Sequence, residues 1–149
     1  MKPTSWFVVI VVASVGVLDI VTGGWLLFSA TPWTAHGPQT VWMNAPAVLS
    51  NSADASALVE ALFRRMGAFS LHAGMVTVAG AVLGRKHRAL MTGVLVLWMV
   101  DGLAFFATDR AAFMGTPYFV AKQVIGGFWA LALVVHLLQG RRAGDMRAS

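Results

Sequence analysis

Four ionisable residues stand inside apolar stretches of this sequence: Asp19, His72, Asp101 and Lys122. Placing such a group deep in a membrane-spanning helix costs at least about 2.5–3.5 kcal/mol, so it normally faces protein or water and has a partner. The set supplies two carboxylates, an imidazole and an ammonium. His72 held beside Asp19 or Asp101 would suit general acid–base chemistry, proton transfer or quinone binding. His72, Asp101 and Asp19 are therefore the candidate catalytic residues, and a small membrane enzyme or proton-coupled carrier is one reading. The structural alternative pairs Lys122 with Asp101 or Asp19 and gives His72 a backbone carbonyl. The polar layer would then only fix helix register.

An imidazole with two carboxylates could also hold Zn, Fe or Mn. No HxxxH, ExxH or HExxH spacing is present, so no metal site is assigned. Haem held between His72 and His136 fails on distance, because His136 would lie roughly 27 Å from the face near which His72 sits, at 1.5 Å per helical residue. The absence of Cys removes thiolate ligands, thiol nucleophiles and disulfides. No cofactor is assigned. Around the ionisable set, Tyr118, Lys122, Gly126, Trp129 and His136 make a stripe on one helix face, and Arg65 shares a face with His72. The candidate ligand-binding residues are thus Asp19, Arg65, His72, Asp101, Tyr118, Lys122 and Trp129. Trp25 and Trp98 could line an apolar cavity with Trp129, although aromatic residues in spans more often pack or anchor.

These residues are positioned by a chain of 149 residues, 58% hydrophobic and 11% charged. A soluble domain carries about 25% charged residues, so the composition excludes one. The apolar runs Trp6 to Phe28, Met66 to Gly84, Ala89 to Ala107 and Tyr118 to Gln139 are each long enough to cross roughly 30 Å of hydrocarbon. The expectation is an all-α, integral membrane four-helix bundle forming a single domain. A signal peptide starting at Lys2 is the rival reading of the first run. That run far exceeds an apolar region of about 7–15 residues, and Phe28-Ser29-Ala30 lacks a small residue at the first position of a cleavage site.

Orientation follows from Lys and Arg in short loops. Lys2, the turn Arg85, Lys86, Arg88 and the tail Arg141, Arg142, Arg147 fall on one side, against Arg64, Arg65 and Arg110 on the other. Both termini are expected to be cytoplasmic, with the protein in the cell inner membrane. The net charge of +5 reflects this topology rather than nucleic-acid binding. The long first outer loop, 29–57, contains Pro32, Pro38 and Pro46, which oppose a regular helix. Asp54 is a candidate N-cap for a helix from Ala55 that continues into the second span. Counted inward from the outer ends at 1.5 Å per residue, Asp19 lies roughly 13 Å deep, His72 and Asp101 roughly 9 Å, and Lys122 roughly 6 Å. A compact bundle could bring all four to one outward-facing pocket.

Gly67, Ser70, Gly74, Thr77, Ala81 and Gly84 recur at alternating steps of three and four, and Ala13, Gly16 and Gly23 make a looser series. Small stripes let membrane helices approach closely, so helix packing is the expected role. His72 points nearly opposite the second-span stripe, about 200° away. Either that span uses both faces against protein, or His72 meets lipid or a partner subunit.

The stretch Phe63-Arg64-Arg65-Met66-Gly67-Ala68-Phe69-Ser70-Leu71-His72-Ala73-Gly74 resembles the Arg-x-x-Gly, apolar run and Gly of the second helix in small DoxX-like four-helix bacterial membrane proteins. The matching residues are Arg64 and Gly67, with Gly74 downstream; the four-span plan with a basic turn between spans 2 and 3 is also similar. The resemblance implies a bacterial inner-membrane protein, in a group sometimes associated with quinone-linked redox or oxidative-stress systems. It supplies no catalytic residues.

The function expected from these readings is binding of an apolar or amphipathic small molecule, quinone- or lipid-like, within a redox or transport assembly. A structural accessory subunit of a membrane complex is the main alternative. The lipid bilayer is one partner, and a homodimer is attractive because four such spans enclose little volume.

Overall fold

The computed structural model describes residues 3–28, 53–108 and 114–148. Among them are four helices and no strand: α1 (Trp6–Phe28), α2 (Ala53–Gly84), α3 (Arg88–Thr108) and α4 (Pro117–Ala148). Each contains a segment long and apolar enough to cross a membrane: Trp6–Phe28, Glu60–Gly84, Arg88–Thr108 and Pro117–Gly140. Most of the first loop, with Trp33, His36 and Trp42, lies outside the described residues, as do Asp109 and Arg110.

Local chemistry sets the helix ends. Ser5 Oγ accepts a hydrogen bond from Val8 N at 3.4 Å to cap α1. Thr116 Oγ1 accepts from Phe119 N at 3.2 Å to cap α4, and Pro117 occupies the first helical position, where no N–H is needed. Gly115 precedes this cap at φ +83°, a conformation that favours glycine. Two boundaries differ from expectation. Helix α2 begins at Ala53, so Asp54 stands inside its first turn rather than capping it. Helix α4 runs past Gln139 to Ala148 because no proline interrupts the segment and Gly140 alone does not stop a helix.

The helices form a ring in which α1 packs on α2 and α4, and α3 packs on the same two. The α1–α2 seam is the tightest contact and is made of backbone. Gly16 and Gly23 on α1 meet Gly74 and Gly67 on α2. A Cβ at Gly74 would stand 2.5 Å from Gly16 O and 2.8 Å from Ile20 N; one at Gly67 would stand 2.8 Å from Gly23 O. Small residues thus work here as the spacing suggested.

The remaining core lies toward one end. Val8, Val9, Val12, Ala81, Met91, Leu95, Trp129 and Ala132, drawn from all four helices, form one buried cluster. At that end Thr4 N donates to Arg85 O at 3.0 Å and Thr4 Oγ1 to Gly84 O at 3.1 Å, tying the start of the chain to the α2–α3 turn. Arg85 stacks on Trp6, 3.9 Å from the ring centroid. This basic end is closed.

The far end is joined mainly through α1 and α2, where Arg64 Nη1 donates to Leu27 O at 3.4 Å and pairs with Glu60 at 2.8 Å. Along α3 and α4 little is buried there. Gly102 and Gly126 face space in which an added Cβ would meet nothing within 4 Å among the described residues. Among the described residues the bundle is therefore closely packed at its basic end and less closely along α3 and α4 at the other.

A polar tie spans the middle. Trp98 Nε1 donates to Thr77 Oγ1 at 2.8 Å, and Thr77 Oγ1 donates to Ala73 O at 2.8 Å. Thr77→Val keeps the shape and removes the acceptor. It is expected to cost about 1 kcal/mol, within the range for polar contacts between membrane helices. A lowered midpoint of thermal unfolding in detergent checks this, and an unchanged midpoint would show that the tie is immaterial.

Candidate functional site

At the less closely packed end, polar side chains from three helices lie within electrostatic reach of one another. Asp19 comes from α1, Asp101 from α3, and Tyr118 and Lys122 from α4. Asp19 lies within electrostatic reach of Lys122 and Asp101, and Tyr118 is reached by all three while its hydroxyl bonds the Lys122 ammonium. Tyr118 and Lys122 are one helical turn apart, which places both side chains on one face of α4.

Aromatic rings wall the ammonium. Lys122 Nζ lies 5.9 Å from the Trp98 centroid, 5.9 Å from Phe105 and 5.6 Å from Tyr118, at the outer limit of cation–π attraction near 6 Å. Phe105 meets Tyr118 edge-on at 6.1 Å, and Phe106 meets Phe119 at 5.9 Å. These pairs join α3 to α4 at the end away from the basic turn. Asp101 is exposed, whereas Asp19 is partly buried. Asp19 Oδ2 itself is buried and has no hydrogen-bond partner among the described residues. A buried polar atom of this kind is costly unless a donor is supplied.

Four of the seven candidate residues are thus brought together: Asp19, Asp101, Tyr118 and Lys122. His72 is not among them. It is exposed on α2, and its Nδ1–H donates to Ala68 O at 2.7 Å. The cause is the seam: Gly67 and Gly74 turn one face of α2 onto α1, and His72, about 200° away, must look outward. Arg65 shares that outward orientation and is exposed. Trp129 belongs to the packed layer beneath the cluster, with its ring 5.8 Å from Trp98 and its Nε1 donating to Leu95 O at 2.9 Å.

Phe105 and Gly102 lie beside these residues and were not singled out by residue chemistry, whereas Gly126 already stood in the α4 stripe. Trp98, Asp101, Gly102 and Phe105 do follow one another at helical spacing on α3, so the signal was present. Among the described residues no group of three His, Cys, Asp or Glu could hold a metal ion. With His72 turned away, the cluster offers an acceptor without a partner among the described residues, a phenol and a tethered ammonium beside aromatic rings. Such a floor can seat the polar head of an amphiphile whose apolar body lies between the helices.

Comparison with protein-family models, curated proteins and solved structures gave no match to this chain. The residues behind the DoxX-like resemblance have local roles of their own. Gly67 and Gly74 form the α1–α2 seam, and Arg64 covers the end of α1.

Proposed function

We propose that this chain is a multi-pass inner-membrane protein with cytoplasmic termini, which binds a quinone- or lipid-like amphiphile in the cleft between α1, α3 and α4. The observation that carries the reading is the contrast between the two halves of one bundle. At the basic end every helix contributes to a close-packed cluster. On α3 and α4 beside Asp101 and Lys122, a Cβ at Gly102 or Gly126 would meet nothing within 4 Å among the described residues. The clustering of Arg85, Lys86 and Arg88 at the closed end supports a cleft facing away from the cytoplasm. An exposed girdle including Ile10, Val21, Val76, Leu97 and Val124 supports placement in lipid.

The packed layer of Val12, Leu95, Trp129 and Ala132 below the cluster favours a binding site over a carrier that opens to both sides. The DoxX-like resemblance agrees with a role beside a redox assembly. The accessory-subunit reading draws support from Lys122, whose ammonium already lies near the rings of Trp98, Phe105 and Tyr118. Asp19 Oδ2 favours binding, since it is buried without a donor among the described residues. The exposed α2 face with Phe69, His72 and Val76 is available to lipid or to a second copy.

The test is titration of the detergent-solubilised protein with a decyl-chain benzoquinone and, separately, with a lysophospholipid, following tryptophan fluorescence. One probe should bind wild type. Gly126→Leu, which fills the cleft, should weaken that binding at least tenfold without lowering the unfolding midpoint. Equal binding by Gly126→Leu would remove the cleft as the site. Failure of both probes, with Lys122→Met lost only in stability, would favour the accessory subunit.

A further inference from the structure

The basic end carries positive charge that its packing does not absorb. The two Thr4 bonds to Arg85 O and Gly84 O fasten the segment before α1 to the α2–α3 turn. That fastening sets Trp6 against Arg85, whose guanidinium carbon lies 3.9 Å from the ring centroid, well inside the cation–π limit near 6 Å. Arg85 thus has a fixed place, yet its guanidinium makes no hydrogen bond or ion pair among the described residues. Lys86 beside it is exposed. Arg88 differs, because its guanidinium donates to His136 O and is taken up in joining α3 to α4.

The described carboxylates stand far from this charge. At 1.5 Å per helical residue, Asp19 is roughly 20 Å along α1 from Trp6, and Asp101 is roughly 20 Å along α3 from Arg88. Glu60 lies near the opposite end of α2 and pairs with Arg64. Along the sequence, Asp145 is the one side-chain carboxylate that flanks the basic end, against Lys2, Arg85, Lys86, Arg88, Arg141, Arg142 and Arg147. The end is therefore complementary to an anion.

What adjoins Arg85 decides the kind of anion. Trp6 is 58% exposed and Ile10, one turn further, 59%, so an apolar strip on one outward face of α1 starts at the guanidinium. A soluble anion makes no use of such a strip, whereas a phospholipid has a charged head and an apolar chain in that order. On the membrane placement given above, we propose that an anionic phospholipid seats its phosphate on Arg85 and Lys86, with Trp6 at headgroup level and an acyl chain along Ile10. A guanidinium held over a ring keeps its planar fork of N–H donors for two phosphate oxygens, and a lysine in that place offers only a point charge.

The experiment is native mass spectrometry of the full-length protein in detergent, titrated with phosphatidylglycerol and with phosphatidylcholine of the same acyl chains. Wild type should bind the anionic lipid roughly tenfold more tightly than the neutral one. Arg85→Gln should abolish that preference and Arg85→Lys should lose most of it, with binding of phosphatidylcholine unchanged. Equal binding of both lipids by wild type would overturn the headgroup site and leave the membrane placement standing, whereas binding of neither would remove both. Arg85→Lys behaving as wild type would overturn the guanidinium site in favour of diffuse charge. Full displacement of phosphatidylglycerol by inorganic phosphate at the lipid's own concentration would assign the site to free phosphate and overturn the lipid. If the Arg85 variants do not fold, Lys86→Gln with an undiminished preference overturns the site, and a weakened one supports it.

Discussion

Gly74→Leu should be the most damaging single substitution in the bundle, lowering stability by about 3 kcal/mol, at the upper end of the range for overpacked cores. The new Cβ would be 2.5 Å from Gly16 O and 2.8 Å from Ile20 N. Those atoms are α1 backbone, which has no alternative rotamer, so the whole helix must move away. Separation of α1 from α2 forfeits the dispersion contacts that hold membrane helices together where lipid removes a hydrophobic drive. Denaturation of the detergent-solubilised protein with SDS should show roughly a hundredfold change in the unfolding constant, by the 1.4 kcal/mol-per-decade conversion. Gly127→Leu is the control. Gly127 is exposed and meets nothing within 4 Å among the described residues, so its replacement should leave stability unchanged or slightly raised. Equal stability of the two variants would contradict a glycine-packed seam.

Trp129→Ala should come next, at about 3 kcal/mol, the lower end for truncating a buried aromatic residue. Trp129 is 3% exposed, packs at a tilt against Trp98 and bonds Leu95 O. Its removal leaves a void directly beneath the polar floor. The lower end applies because the reference solvent is hydrocarbon, so the loss is packing and one hydrogen bond rather than transfer to water. Trp129→Phe should recover most of the packing but not the bond. An SDS titration beside wild type checks both. A stable Trp129→Ala would mean that the layer closing the cleft is not a packed one.

The spans were legible because their apolar runs are bounded by Arg85, Lys86 and Arg88, by Pro117 and by charged ends. The seam was legible too, since glycines at fixed helical spacing constrain which faces can meet. The site was only partly so. Depth along a span places Asp19, His72, Asp101 and Lys122 in one layer, but depth carries no azimuth. His72 left the cluster because the glycine stripe decides which way α2 turns, and that contact involves no charge. Arg65 left with it. Conversely, Gly102 matters through what it lacks, and a missing side chain is no chemical motif, whereas Gly126 was legible from its place in the Tyr118, Lys122 stripe. Pairing across helices, such as Trp98 with Thr77 or Thr92 with His136, depends on rotation that a single sequence does not encode in its spacing.

The seam lies between the first two helices, and this has a consequence for biosynthesis. A chain made from its N-terminus completes α1 and α2 before α3 exists, and the Gly16, Gly23, Gly67 and Gly74 contacts need nothing from the second half. With the proposed membrane placement, the hairpin can therefore pair as soon as it is released into the bilayer. Its free edges then serve as a finished template on which α3 and α4 assemble, and substitutions in the later helices act on docking rather than on the template itself.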